Sequence, residues 1–299
     1  MRLSIIIPTR DRPEFLQDCL GTIQRQDLEP DSVEVVVIDD GSTPPLASVV
    51  ADAGGEISVR CVRQAPGGLN AARNRGIEET TGEAVAFLDD DTLLSPQWAG
   101  TVLDAFEASG CAAVGGRVQL GFEGRGAPVW LASTQREFLA EFDLGSEPLW
   151  LDRGPVPVGA NCAVRRAEFD RVGLFTEGLD RIGSSLVSNG DTEFFRRLRR
   201  SGGRIRYEPA AAVIHRVPAE RLTREFFLRR AHAQGVSDAL LAADTDPRPA
   251  RVAREVWRCA RTGPILIRGL ATGRGTMNAR QWASYCRGRL GATVTSRGG

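Results

Sequence analysis

Four short apolar runs, separated by helical patterns and each ended by polar or charged residues, fall within the first ninety or so residues. They are Leu3–Ile7, Val33–Ile38, Ile57–Val62 and Ala84–Leu88. The runs are continuous rather than alternating, as expected of strands covered on both faces in a parallel sheet. Between the first two, Phe15, Leu16, Cys19, Leu20 and Ile23 recur at helical spacing, with Pro13 acceptable in the first turn. Leu46–Ala53 forms a second helical stretch, and Gly67-Gly68 opens a third over Leu69–Glu79. Strand and helix in alternation predict an α/β fold. Right-handed crossovers place the carboxyl ends of all four strands on one edge. Thr9-Arg10-Asp11, Asp39-Asp40, Arg63-Gln64 and Asp89-Asp90-Asp91 then line a single crevice, where open α/β sheets bind ligands.

The chemistry concentrates at the fourth strand. Asp89, Asp90 and Asp91 follow Leu88 without a spacer. Adjacent carboxylates repel, and either water or a cation must neutralise them. Mg²⁺ and Mn²⁺ take oxygen ligands from one or two carboxylates together with substrate phosphates. Gly67-Gly68 does not match the dinucleotide fingerprint GxGxxG, and no GxxxxGK[ST] loop is present.

Beyond the triplet, a helix begins near Pro96 with Trp98, Val102, Leu103 and Phe106 on one face, and Cys111–Val114 resumes strand character. Residues 121–155 are irregular and carry Phe122, Trp130, Phe138, Phe142 and Trp150, expected mostly in packing, with some free to meet a sugar face. Val156–Val164 reads as a strand, Arg166–Val172 as a short helix and Asp180–Gly190 as a mobile loop. The next helix starts with Asp191 as N-cap, Glu193 in the first turn and arginines in the last. A late strand, Arg204–Val217, is interrupted by Pro209 and carries His215 at its far end. An Arg-rich helix from Leu222 to about Ala242, a linker at 244–250, further helix and a disordered tail after Thr293 complete the expectation.

Net charge is zero, yet residues 1–194 hold 31 acidic against 16 basic residues and residues 195–299 hold 7 against 22. The basic third suits an anionic partner or simple complementarity within one fold. All 38 basic residues are arginine. The six cysteines are scattered without a CxxC pair, against a zinc site or a disulfide framework and in keeping with a reducing cytoplasm. The early apolar run is too short for a signal sequence, and no stretch approaches the ~18 apolar residues of a membrane span.

Together, Ser4-Ile-Ile-Ile-Pro-Thr9, Val36-Val-Ile-Asp-Asp-Gly-Ser42, Gly68 through Ala72-Arg-Asn-Arg-Gly-Ile77, Phe87-Leu-Asp-Asp-Asp91, Gly190-Asp-Thr-Glu193 and His215 resemble the family-2 glycosyltransferases. The match spans roughly residues 3–216 in the family's order and spacing. The resemblance implies a GT-A fold: a Rossmann-like nucleotide-binding half (1–95) and an acceptor half (96–217) around one mixed sheet, followed by a helical basic region (218–299).

It also implies roles. Asp39 would accept from a uracil or thymine imide, with Pro8, Thr9, Gly68 and Arg73 around the nucleotide. Asp89 or Asp90 would lie near the ribose, Asp91 and His215 would hold Mn²⁺ or Mg²⁺, and Asp191 would be the general base. One departure is Gly190, where the family commonly has Glu; it leaves Glu193 as an alternative base.

The expected activity is inverting transfer from a UDP- or dTDP-sugar to a glycan, lipid-linked or small-molecule hydroxyl, in polysaccharide biosynthesis. The expected location is cytoplasmic, with peripheral contact at the inner membrane face through the basic region and no nucleic-acid partner. The competing readings are a sugar-1-phosphate nucleotidyltransferase, against which Pro8-Thr-Arg-Asp11 replaces the usual Gly-rich basic loop, and a non-catalytic nucleotide-sugar binder.

Overall fold

The computed structural model describes residues 1–124, 126–181, 185–242, 257 and 276–295. The linker at 244–250, most of the helix expected after it and the end of the tail lie outside these residues. In chain order the strands are β1 (Leu3–Thr9), β2 (Val33–Asp39), β3 (Ser58–Arg63), β4 (Ala84–Leu88), β5 (Thr92–Leu94), β6 (Ala113–Phe122), β7 (Leu149–Trp150), β8 (Asn161–Arg165) and β9 (Ile205–Val217). The helices are α1 (Pro13–Ile23), α2 (Ala47–Asp52), α3 (Leu69–Glu78), α4 (Trp98–Ser109), α5 (Ser133–Arg136), α6 (Arg166–Val172), α7 (Gly190–Arg200), α8 (Arg224–Leu241) and α9 (Thr276–Thr295).

One sheet runs β3-β2-β1-β4-β8-β6-β9-β5, with β7 also on β9. The first four strands are parallel, and every residue of β1 and β4 is buried, as their continuous apolar runs require. From β4 onward the pairing turns antiparallel: β8 on β4 and on β6, and β5 on β9. The sheet is therefore mixed.

Three sequence expectations change here. Residues 156–160 are not strand; β8 starts at Asn161, whose side chain bonds the backbone oxygens of Arg117 and Ala211 and receives the Trp98 indole N–H. Pro209 does not break β9, because it falls between the register with β7 at Arg206–Tyr207 and that with β5 at Val213–His215. Asp191 is not an N-cap but lies inside the first turn of α7.

The chain divides into two compact units. The first comprises residues 1–121, 139–177 and 190–217 and holds the sheet. Its core includes the ring cluster Phe87, Phe169, Phe175, Phe194 and Phe195, which fixes α6 and α7 against β4. The second comprises residues 122–138, 178–189 and 218–299. Its described part is built on α8 and α9, which approach closely because Gly235 faces the backbone of Tyr285 and Gly288 that of His232. Two loops from the middle of the chain join this helix pair. Trp130 stacks edge-on to Phe227, Gln135 donates to Gln281, and Ser188 and Asn189 bond Ser237, Gln234 and Asp238. The loop read as mobile is thus tied down at 188–189.

Candidate active site

Register alone brings the first acids together. Parallel pairing sets Thr9 beside Asp39 and Asp39 beside Arg63. The Thr9 hydroxyl donates to Asp90 at 2.7 Å, joining the ends of β1 and β4.

Asp39 is fully buried. Its carboxylate accepts from the Ser42 amide at 2.7 Å, the Leu46 amide at 3.2 Å and the Arg63 guanidinium at 3.0 Å. Burial acts to raise its pKa, but these bonds outweigh it, and the group sits below the usual carboxylate range. With these donors and the Ser42 hydroxyl engaged, Asp39 closes the turn after β2. Asp40 accepts from the Gly67 and Gly68 amides and the Gln64 amide nitrogen. That places Gly68 at the start of α3.

The triplet after β4 is handled differently. Asp90 points inward, to Thr9 and to the guanidinium of Arg12. Burial pushes its pKa up to about 7; Arg12 and Thr9 oppose that rise, while Asp91 and Asp89 add to it. Arg12 also donates to Asp91 at 2.7 Å. The other Asp91 oxygen lies 2.9 Å from His215 Nε2. Pairing of Thr92 with His215, and the Arg216 amide on the Asp91 carbonyl at 2.8 Å, hold β9 in this position.

Asp89, Asp91 and His215 each offer a ligand atom within 4.8 Å of the others. Two hard carboxylates and one imidazole, with His215 Nδ1 buried and without a hydrogen-bond partner among the described residues, form a donor set that fits a divalent cation such as Mn²⁺. The resemblance put Asp89 or Asp90 near the ribose; here Asp89 groups with Asp91 and His215, while Asp90 bonds Thr9 and Arg12.

Asp191 reaches the same edge by a route the sequence did not show. Antiparallel pairing sets Leu88 opposite Asn161, so the amino end of β8 meets the carboxyl end of β4. Two residues before Asn161, the Gly159 amide donates to Asp191 Oδ2 at 2.8 Å, while Oδ1 takes the Thr192 amide at 2.6 Å. The carboxylate plane is thereby fixed where the chain enters β8, next to the end of β4. Buried Cys162 reports the convergence: burial raises its thiol pKa, Arg73 opposes, and both Asp191 and Asp89 add to the rise.

Arg73, read as part of the nucleotide pocket, is buried; it packs on Gly159 and bonds Asn70. Any side chain at 159 would strike the Arg73 guanidinium. The Gly190 departure has a local cause, since the Asn70 amide lies where a side chain at 190 would go. Glu193, the alternative base, is paired with Arg197 and accepts from Thr176. Pro8 completes the end of β1. Arg12 is the site residue that sequence reasoning missed, although its position three residues after Thr9, at the start of α1, was a usable signal.

Comparison with known proteins follows this geometry. Residues 4–173 match the model of glycosyl transferase family 2. The chain is 27% identical over 269 residues to the succinoglycan biosynthesis protein ExoM of Rhizobium meliloti, covering 88% of this chain and 81% of that protein. It is 27% identical over 259 residues to a glucosyl-dolichyl phosphate glucuronosyltransferase of Haloferax volcanii, covering 81% and 77%. Among solved structures, a mannosyltransferase of Pyrobaculum calidifontis in complex with GDP-Man and Mn²⁺ aligns with TM-score 0.68 at 20% identity, over 98% of this chain and 86% of that one. TarS of S. aureus in complex with UDP-GlcNAc aligns with TM-score 0.57 at 17% identity, over 97% and 90%. These two likenesses establish the GT-A fold.

Proposed function

This chain belongs to glycosyl transferase family 2, and from that premise we propose that it moves a sugar from a UDP- or dTDP-sugar to an acceptor hydroxyl with inversion at the anomeric carbon. The observation that carries the reading is the meeting of β4 and β8, which brings Asp89, Asp91 and His215 to the same edge as Asp191. The residues 1–95 serve as the donor half and 96–217 as the acceptor half, with 218–299 as an appended region.

Asp39, Pro8, Thr9, Gly68 and Arg73 surround the nucleotide, and Asp89 or Asp90 lies nearest the ribose. Asp89, Asp91 and His215 would hold a divalent metal, Mn²⁺ or Mg²⁺, which as a Lewis acid would offset negative charge on the departing diphosphate. Asp191 takes the proton from the acceptor hydroxyl as oxygen attacks the anomeric carbon from the face opposite the leaving group. A single displacement of this kind inverts the centre. The Gly159 amide on one carboxylate oxygen and the Thr192 amide on the other hold the orientation of the group, which supports this role.

The relatives favour a glycan or lipid-linked acceptor, as in the dolichyl phosphate substrate in one of their names. No described helix is long and apolar enough to cross a membrane. Peripheral contact through the basic region remains part of the proposal. Family membership favours sugar transfer over nucleotidyl transfer.

The test is donor binding against turnover. UDP- or dTDP-sugar with Mn²⁺ raises the melting temperature of both the wild type and Asp191→Asn. The substitution lowers turnover on the order of 10²–10⁴-fold, the usual contribution of a general base. An Asp191→Asn enzyme with near-normal turnover would remove the assignment.

A further inference from the structure

The acid run after β4 already has a cation, and it belongs to the protein. Arg12 bridges Asp90 and Asp91, with one guanidinium nitrogen on each carboxylate. Both acids are buried, whereas the Arg12 side chain is 25% exposed and reaches in from the start of α1. Its guanidinium lies 4.3 Å from the centre of the Phe15 ring, on which Arg216 also stacks at 4.6 Å. Arg216 in turn pairs with Asp18 of α1. The Phe15 ring thus backs the guanidinium while Arg12 bonds both acids.

One Asp91 oxygen faces Arg12 and the other faces His215. Any divalent cation bound by Asp91 therefore meets the field of a guanidinium already attached to the same carboxylate. Two positive charges on one carboxylate repel, and burial strengthens that repulsion. From this arrangement we propose that Arg12 is a built-in counter-cation that competes with the divalent metal. It stabilises the acids before metal arrives and sets how tightly metal is held. This inference rests on the metal-site reading above, and its test separates the two.

The experiment measures Mn²⁺ binding to the whole chain by calorimetry at pH 8, with thermal melting in parallel. The variants are Arg12→Gln, which removes the charge, and Arg12→Lys, which keeps it but loses the two-pronged grip. Arg12→Gln is expected to melt lower than wild type without metal, to bind Mn²⁺ about tenfold more tightly, and to gain more from saturating Mn²⁺. Arg12→Lys is expected to fall between wild type and Arg12→Gln, and it carries the test if Arg12→Gln does not fold. Mn²⁺ affinity that is unchanged or weakened in the folded variants overturns the competition. Asp91→Asn serves as the control for the site itself. Mn²⁺ binding that survives Asp91→Asn undiminished, or that is absent from wild type, overturns the metal site and the competition together. Loss only in Asp91→Asn, with Arg12 variants like wild type, overturns the competition alone.

Discussion

Asp39-Asp40 and Asp89-Asp90-Asp91 are similar in sequence, acid runs at the ends of nearby parallel strands, yet they are satisfied by different kinds of partner. Asp39 and Asp40 receive backbone amides from Ser42, Leu46, Gly67 and Gly68 in addition to the side chains of Arg63 and Gln64. The amide donors are fixed by the chain and cannot be exchanged. Asp90 and Asp91 receive the guanidinium of Arg12, and Asp91 lies against the imidazole of His215, so side-chain cations face these acids. The first run builds a turn; the second, on the proposal above, exchanges one cation for another. Adjacent acids in a sequence do not reveal which of these they are.

If that contrast holds, Asp39→Asn should be the costlier change, because the amide must present N–H to donors that need an acceptor. Loss of about 2–3 kcal/mol in denaturant unfolding is expected, with any Mn²⁺-dependent melting shift retained. A loss below about 0.5 kcal/mol would show that the turn does not depend on this carboxylate.

Next in size is Gly190→Ala, which forces a methyl against Asn70 and is expected to cost about 1–3 kcal/mol. Combining it with Asn70→Ala should recover most of that loss, and failure to recover would mean the collision is not the cause.

Asp91→Asn should cost less than Asp39→Asn without metal, roughly 1 kcal/mol or under, since it also removes repulsion from Asp90 and Asp89. It should nevertheless abolish the Mn²⁺ shift. A loss equal to that of Asp39→Asn would erase the distinction between the two runs.

The smallest effect is in pH. The folded pKa of Asp39 lies below its unfolded value, so its contribution is present above roughly pH 4 and is lost as pH falls through the folded pKa. The stability gap between wild type and Asp39→Asn should narrow below about pH 4, as read from denaturant midpoints. A gap independent of pH would point to packing rather than charge.

Much of the parallel half was legible because its signals are local. A buried parallel strand is an uninterrupted apolar run, and the residue after its end falls at the crevice by topology. Asp39, Asp91 and His215 were legible as candidates on that ground and by family resemblance. The antiparallel half was not. β5 is only three residues long, Pro209 falls inside a continuous β9, and the apolar segment before Asn161 is not strand. Strand partners there lie far away in sequence. Thr92 with His215 and Leu88 with Asn161 are cases that periodicity cannot choose.

The sequence by itself determined the layered α/β architecture, the edge that carries the acids and the family, since hydrophobic period and motif order are properties of short stretches. Tertiary structure alone decided that Asp191 hangs from Gly159, that Asn70 demands glycine at 190, that Arg12 bridges Asp90 and Asp91 and that residues 122–138 and 178–189 join the helices of the basic region. Each of these depends on which distant atoms meet at van der Waals or hydrogen-bond distance. That is set only when the whole sheet closes, and no local pattern encodes it.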